Sequence, residues 1–226
     1  MIGGDLSFQG GGYSRTPIEE ILPVHFEEIN RPFVDEAFQA VLNQEFSRHP
    51  ILRLEKELDR NQEVWRSLPP LQGINKGLIP DKNAHVLVQH AKGSTAPLLV
   101  VGGFGKGRTA LLGTDSMWNW NFRNVGSGGS GRYFQRFWNN IIDWLIAEPE
   151  TRRLQLESDK ERYQEGEQVL IKFKLLKKNY QPATDPMMKL TLQSLKKEPS
   201  PEIELKTDEQ GEGVFPFLPD EEGFYT

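Results

Sequence analysis

The 226-residue chain contains no cysteine. That excludes a disulfide framework, a thiolate metal site and any cysteine nucleophile. It leaves the compartment open, because a cysteine-free chain folds equally well in reducing and oxidising surroundings. Histidine is scarce as well: the four are His25, His49, His85 and His90. None of them falls in a His-x-x-x-His or His-Glu-x-x-His spacing, so the sequence offers no metal site. No apolar run approaches the roughly 20 residues of a bilayer span, and no direct membrane insertion by this segment is expected. A charged stretch followed by an apolar one is missing from the N-terminus, so no signal peptide is visible. The net charge is −5, with no basic stripe interleaved with aromatics, which argues against nucleic acid as a partner. No motif calls for a cofactor.

What remains is the composition of a soluble globular protein, with 37% hydrophobic, 26% charged and 10% aromatic residues. Its length suits one large domain or two modest ones. Met1-Ile-Gly-Gly reads as the end of a strand, which suggests a chain that starts inside a domain. A glycine-rich loop follows, from Gly3 to Gly12, and delivers the chain to Thr16-Pro17. Thr16 as N-cap, Pro17 at the first helical position and acids in the first turn predict a short helix over 17–22. Pro23 to Phe26 reads as a short strand. Phe33 to Phe46 reads as helical, with Phe38, Val41, Leu42 and Phe46 near one face. From His49 to Gly73 the prolines predict extended, turning chain that wraps a sheet edge.

Strands are expected at 84–89, 97–102 and 108–114. Gly103 to Gly107 is too short for a parallel crossover and predicts an antiparallel hairpin. The same residues lack the spacing of a phosphate loop. Asp115-Ser-Met-Trp-Asn-Trp-Asn-Phe then stands at a strand end, where α/β domains commonly build sites. The Gly126–Gly131 loop leads into a helix whose buried face is read as Phe134, Phe137, Trp138, Ile141, Ile142 and Leu145, with Arg132, Gln135, Arg136, Asn139 and Asp143 opposite. Beyond Glu148-Pro-Glu, short alternating runs separated by Gly, Pro, Asp and Lys predict a β-sandwich over 151–226, shorter than a complete one of about 100 residues. The C-terminus therefore reads as truncated too.

Candidates for chemistry are few. Ser7 and Ser116 are the hydroxyls in suggestive places. Around Ser7 the Gly-x-Ser-x-Gly elbow frame fails, because Asp5 and Gln9 occupy the glycine positions. His49, before a proline in an irregular segment, is the one histidine kept as a site candidate, against a hydrogen-bonded structural role. Asp115 would orient a histidine or a ligand, or cap its own turn. For ligand binding the candidates are Asp115, Ser116, Trp118, Trp120 and the loop amides at Gly128 and Gly129. The tryptophans have core packing as their alternative.

Taken together, Gly3-Gly4, Ser7-Phe8, Gly11-Gly12-Tyr13, Thr16-Pro17, Glu20, Leu22-Pro23-Val24, His49-Pro50-Ile51, Trp65, Leu68-Pro-Pro-Leu71, Gly105-Lys-Gly-Arg108, Asp115-Ser116, Trp118 and Tyr133-Phe134 with Arg136-Phe137-Trp138 resemble the class I glutamine amidotransferase-like domain. The nearest branch is the one found in large bacterial membrane-anchored proteins, often beside von Willebrand A-type or immunoglobulin-like modules. The resemblance covers 1–147, and 151–226 is similar to the accompanying immunoglobulin-like module.

It implies an α/β class: the C-terminal part of a flavodoxin-like fold, plus a small all-β immunoglobulin-like sandwich. It also implies an extracytoplasmic setting on a bacterial membrane protein, with other domains of that protein or cell-envelope proteins as partners. Working glutaminases of this superfamily use a cysteine on a strand-to-helix elbow, which here falls near Gly4 to Phe8. Without it the expectation is a pseudoenzyme, a non-catalytic interaction or ligand-sensing domain. The alternatives are a hydrolase or amidotransferase using Ser7 with His49 or Asp115, and a small-ligand or carbohydrate-binding domain.

Overall fold

The computed structural model describes residues 1–91, 96–126, 130–148, 151–184, 188–193, 200–219 and 223–225, with 123–125 by backbone alone. These separate into two compact units, Met1–Thr151 and Arg152–Thr226.

In the first unit, α1 (Pro17–Ile21) forms where Pro17 pre-sets the first turn. Thr16 stands at its N-cap in extended conformation but makes no cap bond, and its hydroxyl donates back to Tyr13 O at 2.7 Å. The Glu19 carboxylate instead accepts from Arg15 N and Phe26 N, both at 2.6 Å, tying the helix to the next strand. That strand, β1 (Val24–Phe26), is followed by β2 (Phe33–Phe38) and β3 (Ala40–Leu42). The helix expected over 33–46 is thus two strands and a 3-10 turn at Gln44–Phe46. The cause is distant in sequence. β2 pairs antiparallel with β4 (Leu71–Asn75), and Gly73, at φ +78°, leaves room for the Phe33 ring: an added Cβ would sit 2.4 Å from Phe33 Cζ.

A second correction lies between these strands. The segment read as extended contains a 3-10 turn at Pro50–Leu52 and then α2 (Leu58–Ser67). α2 buries Asn61, Val64 and Trp65, one face at helical spacing. Asn61 Oδ1 accepts from Leu54 N at 2.8 Å and Glu55 N at 3.0 Å, while its Nδ2 donates to Leu52 O at 3.0 Å. A polar residue pinning a loop interrupts the apolar stripe that would have revealed the helix.

After β5 (Leu78–Pro80), which pairs with β1, the main sheet is built by β6 (His85–His90), β7 (Pro97–Phe104) and β8 (Gly107–Leu112) in the order β3-β6-β7-β8. All its pairings are antiparallel. The expected hairpin closes β7 onto β8 with Phe104 opposite Gly107 and Gly105 at φ +56°. A glycine at the first turn position suits the twist of the two strands. On the far side of β8, Ile2 bridges Leu112 in parallel, with Leu112 N donating to Met1 O at 2.9 Å and Gly3 N to Leu112 O at 3.0 Å.

A 3-10 turn at Ser116–Trp118 runs into α3 (Asn119–Gly126), and α4 is Arg132–Leu145. α4 exists where its periodicity predicts, but its buried face is Phe137, Ile141 and Trp144, whereas Ile142 is 51% exposed. The face is rotated because Trp144 takes the place expected of Leu145: the Arg108 guanidinium lies 5.1 Å from its ring and donates to its carbonyl at 2.6 Å. Trp65, Trp120 and Phe137 meet edge-on beneath α4, with centroids 5.4 to 6.1 Å apart.

The second unit holds β9 (Leu154–Ser158), β10 (Val169–Leu175), β11 (Met188–Leu190), β12 (Ile203–Leu205) and β13 (Glu212–Phe217). They form one sheet in the order β13-β10-β9 and a two-stranded sheet, β11-β12, again antiparallel. Val169 and Phe173 are buried on one face of β10, while Lys174 pairs with Glu212 at 2.6 Å. The architecture is mixed α/β with several small antiparallel sheets.

Candidate functional site

β8 and the N-terminal segment bridged to it end side by side. Met1 to Gly3 runs parallel to β8, and their continuations, Gly4 onward and Gly113 to Trp118, leave the sheet at the same edge. In α/β domains ligands bind outside the carboxyl ends of parallel strands. Here that edge is held together by Asn75, which is 1% exposed. Its Nδ2 donates to Gly3 O and Gly4 O, each at 3.0 Å, and to Gly113 O at 3.2 Å.

Beside it runs a chain of hydroxyls. Gln72 N donates to Ser116 Oγ at 3.0 Å, Ser116 Oγ lies 2.9 Å from Thr114 Oγ1, and Thr114 Oγ1 donates to Gly73 O at 2.6 Å. Because the Thr114 proton is committed to Gly73, Ser116 must donate to Thr114. Ser116 is therefore buried with its proton used, and its role is to clamp β4 to the strand-end turn.

Asp115 is exposed. It caps no amide of the turn that follows, and its carboxylate lies against Gly4: a Cβ built there would sit 2.5 Å from Oδ2. Trp118 is 51% exposed and meets the 67% exposed Phe122 edge-on at 6.1 Å. Trp120 points the other way, into the core, with its Nε1 donating to Pro69 O at 3.1 Å. Gly128 and Gly129 lie outside the described residues.

His49 is elsewhere. It caps the Pro50–Leu52 turn, its Nδ1 accepting from Ile51 N at 3.3 Å, and its ring stands 5.5 Å from Trp144. Burial first, then the nearby His85 and Arg108 charges, push its pKa down to about 3, so the imidazole is neutral and a poor proton acceptor near neutral pH. Ser7 is half-buried in the loop before Phe8. The left-handed backbone expected of an elbow nucleophile falls instead on Phe8, at φ +52°, whose side chain enters the core.

The sheet itself divides Ser7 from His49. Leu111 packs in the same cluster as Phe8, whereas Arg108, three positions earlier on β8 and so on the opposite face, stacks on the Trp144 that covers His49. The structure thus brings Asp115, Ser116 and Trp118 together and leaves His49 across the sheet from Ser7. It adds Asn75, Thr114 and Asn119, which the sequence did not single out. Among the described residues no group of three His, Asp or Glu side chains could hold a metal ion.

The fold is a mixed α/β domain whose strand-end edge carries glycines, a carboxylate and exposed aromatics. Residues 1–147 match the family described as "Putative glutamine amidotransferase", and the chain belongs to that family. No curated protein matches it. Among solved structures, it is similar to the cytoplasmic protein STM3548 from Salmonella typhimurium, at 24% identity and TM-score 0.49 over 64% of this chain and 53% of that one. It is also similar to the cytoplasmic protein STM1381 from Salmonella typhimurium LT2, at 27% identity and TM-score 0.45 over 64% of this chain and 54% of that one.

The chain spans about half the length of the solved structures it matches. The extracytoplasmic setting implied by the sequence resemblance is contradicted, because both of these structures are described as cytoplasmic proteins, and that setting is dropped. No described helix is long and apolar enough to cross a membrane.

Proposed function

We propose that the chain is a non-catalytic member of its family: the C-terminal part of a flavodoxin-like amidotransferase domain over 1–147 with an immunoglobulin-like module over 151–226, acting as an interaction or ligand-sensing part of a larger protein. The observation that carries this is the separation of the would-be machinery. The chain has no cysteine, and its buried, neutral histidine is committed to a turn across the sheet from Ser7. A hydroxyl without a positioned base is inert at neutral pH. The parallel bridge between Ile2 and Leu112 supports the flavodoxin-like reading, and the alternating burial of β13 supports the module.

The test is ammonia release from glutamine by the full chain. None is expected, and release that disappears in Ser7→Ala would sink the proposal. A second reading, small-ligand binding at the strand ends, is favoured by Trp118, an exposed tryptophan beside an exposed carboxylate. It is compatible with the first and narrows it.

A further inference from the structure

We infer that the strand-end edge receives a small organic cation, a primary ammonium group carried on a short apolar body. This rests on reading the edge as a binding site, and it follows from which partners the site's polar groups lack.

The Asn75 carboxamide has two protons and three carbonyl oxygens in front of it, at 3.0, 3.0 and 3.2 Å. Turning the amide over would set its oxygen against those three oxygens, so the hydrogen-bond network assigns the orientation. Oδ1 is then a buried acceptor with no partner, on a head seated at the ends of both parallel strands. Buried acceptors are almost always satisfied, and the exceptions call for an explanation. Asn119, also 1% exposed, has neither amide atom partnered, and its backbone N–H bonds to Ser116 O and Met117 O within one turn of Asp115.

Charge selects the kind of donor. The Asp115 carboxylate beside Gly4 repels anions, and a neutral donor gains less from it than a cation does. The exposed Trp118 and Phe122 rings offer faces that attract ammonium groups and edges that cover an alkyl chain. Gly4 is required for this arrangement, because any side chain there would displace the Asp115 carboxylate.

The experiment is a titration of the full chain with n-butylammonium, with n-butanol and butyrate as neutral and anionic counterparts at constant ionic strength. It is followed by the indole resonances of the tryptophans in NMR. A saturable shift of Trp118 with n-butylammonium alone is expected, at least tenfold weaker in Asp115→Asn; in Trp118→Leu, which lacks that resonance, the heat of n-butylammonium binding seen by calorimetry with the unaltered chain should be lost. Both changes are at exposed positions and leave the fold intact. Equal binding of butanol or butyrate, or an unchanged affinity in Asp115→Asn, overturns the cation. No saturation with any of the three probes overturns the inference altogether. Ammonia release from glutamine would overturn the non-catalytic proposal while leaving the titration result standing, so the two failures are distinguishable.

Discussion

His49 and Asn75 are both polar, both 1% exposed and both part of the first unit, yet they are buried in different ways. On one face of the main sheet His49 is spent: its acceptor nitrogen caps a turn, its ring lies on Trp144, and burial keeps it uncharged. At the strand ends Asn75 is spent on one side only, with its amide nitrogen over three carbonyls and its oxygen unmatched. Burial alone therefore does not separate structural from functional polar residues; the accounting of each lone pair and proton does. By that accounting the catalytic reading loses its base and the binding reading gains a floor.

The contrast is sharpest in the two tryptophans of the strand-end segment. Trp120→Ala empties a site that is 1% exposed between Trp65 and Phe137. It should cost about 3–5 kcal/mol in denaturant unfolding. Trp118→Ala, two residues away and half-exposed, should change stability by no more than about 0.5 kcal/mol. A large loss at Trp118 would mean that its ring is structural.

The next effect concerns His49. Its folded pKa of about 3 lies below the ordinary value of 6.5, so between these the unfolded chain binds a proton that the folded chain refuses. Its contribution is fully present above pH 6.5 and is lost as the pH falls toward 3, at about 1.4 kcal/mol per pH unit. His49→Gln should flatten that part of the stability profile. If the slope persists, the histidine is not the group responsible.

A smaller loss than at Trp120 is expected at Asn75, where Asn75→Ala strips a donor from three carbonyls and removes the unpaired oxygen at once. A loss of about 1–3 kcal/mol is expected in thermal unfolding. A loss near zero would show that solvent replaces the amide and that the strand ends are not dry.

Much of the framework was legible from local chemistry. Pro17 opens a helix, Gly105 turns a hairpin, and the aromatic periodicity after Gly131 makes α4. Periodicity set the rotation of α4 wrongly, burying Ile142 and Leu145 in place of Trp144, because the choice between Trp144 and Leu145 depends on Arg108 from another strand. It also misread Phe33 to Phe46, whose apolar residues satisfy a helical spacing while β2 pairs with β4 and β3 with β6, both distant in sequence. Asp115 and Trp118 stood out as a carboxylate and an aromatic at a strand end. Asn75, Thr114 and Asn119 did not, because an asparagine or threonine is unremarkable until its neighbours are known.

By itself the sequence determined the absence of a thiolate, the family signature spread over 1–147, and the turns and helix starts that depend on neighbouring residues. Only the tertiary structure decided that the sheet stands between Ser7 and His49, that Trp120 is core while Trp118 is not, and that Asn75 closes the strand ends. The physical reason is range. Backbone preference acts over a few residues, whereas burial, pKa and hydrogen-bond satisfaction are set by groups that meet only when distant strands pair.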